Sequence, residues 1–504
     1  MPHTTDCARR LLAPALVALI ASASIPLAAS AQTARPASHS AGKVPISTVS
    51  AEARSDFIAG RTLAENLRAH ESREFMLKAV AKDPNFALAH LNLANSAPTA
   101  KEFFDHLGHA VALAEKASAG ERLVILGAQA GANGDPAGQL KLYTRLVKDF
   151  PQDERAHFLL GGTYFGQQEY DKAIEEYRQA TTIAPGYAPA YNIMGYAYRT
   201  AGRYPGAEQA FKKYIELIPR DPNPYDSYAE LLMKMGRFDE SIAQYRKALR
   251  ENPEFAPSFI GIASNLMFQG MYDASRAEAR KLHDRARNDG EKRAAMFQVT
   301  ATYIEEGKLD LALAELDKQY ALGEGIGDAA AMAGDATSMG NVLLEARKPA
   351  EALRRFEQAV QVVEASQLSP EVKENAKLTH RYNAARVAVA TGDLATAKRE
   401  GEAFMREAQA RKNSFQVRLG HEVAGMIALA AKDNDGAVAH FEQANRQDPY
   451  NLYRMGLAYE GKGDVAKAKT MFRKAAEFNQ LPTLNSAFVR AKAGKLKKAG
   501  KLKA

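Results

Sequence analysis

Apolar stripes and polar breaks recur along this chain every 34 residues. Tyr170, Tyr204, Phe238 and Tyr272 keep that spacing, as do Pro151, Pro185, Pro219 and Pro253. So do the small residues Gly127, Gly161, Gly195, Ala229 and Ala263. A period of this length, held without a slipped residue, marks stacked copies of one supersecondary unit. In the copy at 154–187, His157, Leu160, Gly161 and Tyr164 follow the i, i+3, i+4, i+7 spacing of one helix face. Tyr170, Ala173, Ile174, Tyr177 and Ala180 form a second such face. Between the two faces later copies place Gly202, Gly236 and Gly270, suited to the left-handed residue that ends a helix. Asp171, Asp239 and Asp273, with Pro205 in the remaining copy, are expected to open the second helix, the aspartates by accepting free backbone N–H groups. The prolines close it. Each copy is therefore expected to be a helical hairpin that must stack on neighbours to bury its apolar faces.

The small positions have a packing reason. With Glu154 as position 1, position 8 is Gly or Ala and position 20 is Ala173, Ala207, Ser241 or Ser275. Two helices on a short loop approach closely only where side chains are small. The aromatics at positions 17 and 24, the latter Tyr143, Tyr177, Phe211 and Tyr245, are expected to fill space toward the next copy. This pattern resembles the tetratricopeptide repeat, whose hairpin has small residues at positions 8, 20 and 27. Gly161, Ala173 and Ala180 match, as do Gly195 and Ala207. The family's frequent Trp at position 4 is replaced by Tyr191, Tyr225 and Phe259, since the chain has no Trp. The stretch Asn223 to Leu249 is also similar to exported bacterial repeat proteins of unassigned role.

The expected fold class is all-α, a right-handed solenoid of about a dozen helical hairpins. Five copies abut at 120–289, weaker ones occupy 53–119 with register lost near Pro98, and looser ones occupy 290–478. A segment at 479–504 caps the array and ends in a basic tail. The leftover stretches are too short for a catalytic domain, which needs more than about 50 residues.

Residues 1–31 read as a secretory signal peptide: Arg9 and Arg10, an apolar run from Leu11 to about Ala28, then Ala29, Ser30 and Ala31 before Gln32. They imply export to a periplasm or cell envelope, or secretion. Cys7, the chain's single cysteine, precedes the apolar run, so the mature chain would have no disulfide or thiol chemistry. Residues 32–52, rich in Ala, Ser, Thr and Pro, are expected to be a flexible linker.

Charge narrows the partner class. The chain has 67 Lys and Arg against 59 Asp and Glu. Loss of 1–31 leaves a net of +7, and the last 15 residues alone carry seven positive charges and no acid. The body without its tail is formally neutral, so nucleic-acid binding loses its electrostatic footing. The tail lysines Lys495, Lys497, Lys498, Lys501 and Lys503 are candidates for contact with anionic lipid headgroups, beside the reading of a solvated terminus.

Other candidate chemistry is sparse. His106 and His109, with Asp105, stand at ligand-like spacing on a helix, but zinc needs three or four ligands and no cysteine is at hand. Gly323, Gly325 and Gly327 ahead of Asp328 follow a helical run rather than a strand, and read as an inter-hairpin loop instead of a phosphate cradle. No catalytic residue, metal, cofactor or small-molecule substrate is expected, and no residue set suggests an enzyme built on the solenoid. The family resemblance implies protein binding in a concave groove lined by first helices at positions 5, 9 and 12. Carried over, these are Phe158 and Phe165; Asn192, Tyr196 and Arg199; Asp226, Glu230 and Met233; and Ile260, Ser264 and Met267. A surface of that mix suits an extended peptide or a helix with apolar anchors.

Overall fold

The computed structural model describes residues 42–66, 68–97, 100–133, 135–368 and 370–498. The expected signal peptide, residues 32–41 of the expected linker, and Lys501 and Lys503 lie outside them, as do the side chains of Lys495, Lys497 and Lys498. The described chain is all-helical: twenty-five α-helices and one 3-10 turn (Ala114–Lys116), with no strand among the described residues.

Twenty-four of the helices pair into twelve hairpins. The first five are α1 (Ala51–Glu65) with α2 (Ala69–Lys82), α3 (Ala87–Asn95) with α4 (Ala100–Leu113), α5 (Ala119–Ala132) with α6 (Pro136–Asp149), α7 (Glu154–Gly166) with α8 (Tyr170–Ile183), and α9 (Ala188–Thr200) with α10 (Tyr204–Leu217). Next come α11 (Pro222–Lys234) with α12 (Phe238–Glu251), α13 (Ala256–Phe268) with α14 (Tyr272–Arg285), α15 (Asp289–Glu306) with α16 (Leu309–Gly325), and α17 (Ala329–Glu345) with α18 (Pro349–Glu364). The last three are α19 (Pro370–Thr391) with α20 (Leu394–Ala410), α21 (Ser414–Ala430) with α22 (Asn434–Gln443), and α23 (Pro449–Gly461) with α24 (Val465–Ala476). A single helix, α25 (Leu484–Lys498), follows. The described residues form two compact units, 42–227 and 228–498.

The turn chemistry repeats with the period. Gly202, Gly236 and Gly270 have φ of 75°, 75° and 77°, the left-handed region in which a side chain is strained. At Gly202 the amide bonds back to Arg199 O and the next amide, of Arg203, to Tyr198 O, closing the free carbonyls of α9. Gln168 makes the same turn at φ 66° without being glycine, as do Arg347, Lys412 and Lys432 elsewhere. The second helices start differently from the expectation. Asp171, Asp239 and Asp273 sit within the first turns, and α8, α12 and α14 have no side-chain N-cap bond. Their contribution is the negative charge beside the helix N-terminus. The capping aspartates instead open other helices, among them Asp153 at α7 and Asp448 at α23.

The small-residue reading holds, and the large rings reach toward the next copy as expected while also covering their own hairpin: Tyr143 clusters with Ala156 and Leu160, and Tyr177 with Ile193 and Ala197. A Cβ at Gly161 would meet the Tyr177 ring at 2.7 Å, and one at Gly195 the Phe211 ring at 2.7 Å. The position-24 ring thus lies on the glycine of its own hairpin. Tyr245 also reaches the following copy, where its ring lies against Gly261. Ser241 and Ser275, at position 20, donate to the Ala229 and Ala263 carbonyls at 2.7 Å each, tying the two helices where they are closest.

Two further departures have physical causes. The glycine cluster at 323–327, expected as a loop, is largely absorbed by a longer helix: α15 to α21 run 16 to 22 residues, against 13 or 14 in α7 to α14. Gly323 and Gly325 accordingly end α16, and Gly327 makes the turn at φ 68°. The expected linker is also tied down from residue 42 onward. The Val44 N–H donates to Asp153 at 2.8 Å, the Ser47 N–H to Glu121 at 2.7 Å, and the Thr48 hydroxyl to Asp83 at 2.5 Å. Lys43 pairs with Glu154 at 2.6 Å. Val44 packs with Phe150, and Ile46 with the apolar cluster of α1 to α5. This strap runs against the order of the hairpins and ends at Ser50, which caps α1.

Candidate protein-binding surfaces

First helices stack side by side, so their inward positions face the neighbouring first helix as well as the concave surface. In the 42–227 unit this sorts the expected groove residues into two kinds. Asn192 donates to Asn223 at 3.4 Å, and the Tyr196 hydroxyl to Ser227 at 3.2 Å, both across to α11. Asn192 and Tyr196 are 3% exposed and Asp226 is 1% exposed. Asn192 and Tyr196, with Asn223 and Ser227, form a buried polar ladder between hairpins. Phe158, Phe165 and Arg199 are half-buried. Phe158 lies 5.6 Å edge-on to Tyr187, Phe165 lies 5.6 Å edge-on to Tyr170, and the Arg199 guanidinium sits 4.6 Å over Tyr196. Aromatics and arginine fixed this way lose little freedom on binding.

In the 228–498 unit the same positions are covered. Glu230, Met233, Ser264 and Met267 are buried, and Ile260 is half-buried. The Ser264 hydroxyl donates to Ile260 O at 2.6 Å and lies 3.2 Å from Gln298 of α15. Met233 and Met267 belong to an apolar cluster with Phe268, Phe297, Ile304 and Met339. The cover comes from α25, whose Leu484, Ala487 and Phe488 complete that cluster. Polar bonds fix the helix there. Arg490 reaches Glu305 at 3.3 Å and Asn479 at 2.8 Å, and lies 4.1 Å over the Phe268 ring. Lys492 pairs with Glu345 at 2.7 Å, and Asn485 donates to Asp448 at 2.6 Å. Two charges of the expected basic tail therefore face into the protein.

The acids around α25 are electrostatically uneven. Glu422 accepts from Tyr382 at 3.0 Å, Asn451 at 3.2 Å and Arg454 at 2.8 Å. Burial opposes its ionisation, but Arg454 and Arg386 outweigh that and hold the carboxyl low. Burial, joined by the Glu422 charge, pushes Asp448 up to about 6. Burial also raises Glu305, which Arg490 only partly counters.

His106 and His109 face a residue that spacing along one helix could not reveal: His90 of α3, with ring centroids 5.8 and 5.3 Å away. Burial lowers the affinity of His90 and His106 for a proton. Among the described residues no group of three or more His, Cys, Asp and Glu side chains is arranged to hold a metal ion. No described helix is long and apolar enough to cross a membrane.

Family models described as tetratricopeptide repeat match residues 127–188 and, for a second model, 188–221, 223–255 and 449–480. The chain carries tetratricopeptide repeats. The three segments between 127 and 255 cover the end of α5 and α6 to α12, where the 34-residue spacing is strict, and the fourth covers α23 and α24. Among curated proteins the repeats are similar to small glutamine-rich tetratricopeptide repeat-containing protein 2 of Saccharomyces cerevisiae, 28% identical over 21% of this chain and 30% of that protein. The protein of the same name from Mycosarcoma maydis is 29% identical over 20% of this chain and 28% of its own length. The chain thus spans less than a third of the length of these relatives. Solved structures with a similar fold include the MamA protein, 22% identical over 33% of this chain and 91% of that one, with a TM-score of 0.29. A tetratricopeptide repeat protein from Parabacteroides merdae is 16% identical over 51% of this chain and 96% of that one, with a TM-score of 0.37. Tetratricopeptide folds act generally as protein-interaction scaffolds and are typically non-catalytic.

Proposed function

We propose that this chain is an exported scaffold or adaptor that binds a protein segment, extended or helical, on the inward face of its first helices, without catalysis of its own. The observation that carries this reading is the row Phe158, Phe165 and Arg199. These side chains are half-buried, keep part of their surface open and are held by ring contacts, whereas Asn192, Tyr196 and Asp226 are closed. A rigid aromatic and arginine row on a stacked-helix frame is suited to gripping a peptide or helix. Export rests on residues 1–31, whose charged start, apolar run and small residues fit a cleaved signal. The second reading, a tether to anionic headgroups, rests on Lys495, Lys497, Lys498, Lys501 and Lys503 alone, since Arg490 and Lys492 are engaged inside.

The test is photocrosslinking in cells from positions 158, 165 and 199, with the exposed Lys172 on α8 as the control position. The expected outcome is one discrete protein captured from the three inward positions and not from position 172, by a chain that begins at Gln32. Equal capture from all four positions, or none, would count against the reading.

A further inference from the structure

α25 extends beyond what a cap for the last hairpin needs. Val489, Ala493 and Leu496 cover α23 and α24, which is the work of a cap. Leu484, Ala487 and Phe488 lie instead among Met233, Met267, Phe297 and Met339, one from each first helix of four earlier hairpins. That is a concave channel holding a helix. Its floor is rich in methionine, an unbranched and polarizable side chain that repacks around different guests.

The described side chains of α25 answer two acids of the channel only in part. Arg490 reaches one oxygen of Glu305, and the other oxygen is buried without a hydrogen-bond partner. Among the described side chains of α25, Asp448 receives the neutral amide of Asn485, and the charge of Arg454 on α23 offsets its burial only in part. Burial holds both carboxyls above their ordinary range, as expected for acids whose counter-charge is incomplete. A guest that placed a cation at the site of Asn485 would meet Asp448 with a charge-assisted bond instead of a neutral one.

We propose that this channel is a receptor for a basic amphipathic helix of a partner protein, and that α25 occupies it in cis until that helix arrives. This rests on the reading of the chain as a protein-binding scaffold. The partner helix has an aromatic residue where Phe488 stands, small residues beside it, and basic residues at the places of Arg490, Lys492 and Asn485. The tether 477–483 keeps α25 at a high effective concentration, so the partner must bind more tightly than the tethered copy or meet the chain with α25 released.

The experiment uses the full mature chain with a protease site inserted between Leu481 and Pro482. After cleavage a fluorescent peptide copying residues 482–498 is added, and its exchange for the cleaved segment is followed by anisotropy. The copy is expected to exchange in, its N485K form to bind at least fivefold tighter, and its R490E/K492E form not to bind. As a second measurement, hydrogen exchange of residues 484–498 in the uncut chain should rise when the N485K peptide is added in excess. Loss of helical structure on release of the segment, or its retention against excess peptide with unchanged hydrogen exchange, would overturn the proposal. So would equal binding of the charge-reversed peptide. Capture from positions 158, 165 and 199 without peptide exchange would leave the scaffold reading standing and remove this one.

Discussion

At Gln168 the chain pays a conformational cost that its neighbours avoid. The turn after α7 uses the left-handed conformation at φ 66°, while the next three copies place glycine there. An L-residue in that region costs on the order of 1 kcal/mol, partly offset by the greater freedom glycine has when unfolded. Gln168→Gly is therefore expected to stabilise the 42–227 unit by about 0.5 kcal/mol, read as a higher urea midpoint at unchanged slope. The same scale shows what could be read ahead of the structure. Glycine at positions 127, 161 and 195 announced a close approach, and the rings of Tyr143, Tyr177 and Phe211 occupy the space that a Cβ would take. The inward polar residues were not so legible. Position alone puts Asn192 and Tyr196 on the concave side, but their partners Asn223 and Ser227 stand 31 residues away on the next first helix. Spacing within one helix carries no information about a bond between two.

Among the elements, helices with a 34-residue period were plain, and the strap at 42–50 was not. Its apolar residues, Val44 and Ile46, alternate with Pro45 and Ser47, a period of two too short to stand out beside helical stripes. Two of its bonds go to acids that serve helix starts: Asp153 caps α7, and Glu121 closes the capping box of α5 with Ser118. Each acid thus satisfies free amides of a helix and of the strap together. Replacing Val44 and Ile46 by Ser removes two apolar anchors and should destabilise the first unit by about 2 kcal/mol. Limited proteolysis should then cut within 42–50 before any helix is attacked, whereas the unaltered strap resists as long as α5 and α7 do. The longer helices α15 to α21 were also hidden, because added turns shift the copies out of register without erasing their apolar faces.

At the scale of the molecule, a tandem array normally gains stability from nearest-neighbour interfaces and unfolds piecemeal when one is weakened. α25 alters that rule for the 228–498 unit. It joins α23 and α24 to helices as early as α13 through Phe488 and Arg490. Phe488→Ala should cost that unit about 3 to 4 kcal/mol, as for an aromatic lost from a closed core. More tellingly, its urea transition should broaden, because hairpins held together by one helix would then open separately. An equal midpoint shift with unchanged slope would mean that neighbour contacts alone keep the unit cooperative. Nothing in the sequence of 479–504 showed this return. Its high Lys and Arg content described a solvated end, and a helix's destination is a property of the surface that receives it.

A helix that spans the array in this way also constrains its evolution. An open stack of hairpins can gain or lose a copy by duplication or deletion within the gene, since each interface resembles the next. Here one added hairpin between Phe268 and Ala476 would displace the two faces that α25 must touch together, by about the width of a helix layer, 8–10 Å. Arg490, which donates to the carbonyls of both residues, would lose one of them. The copy number of the second unit is thereby set by its last helix.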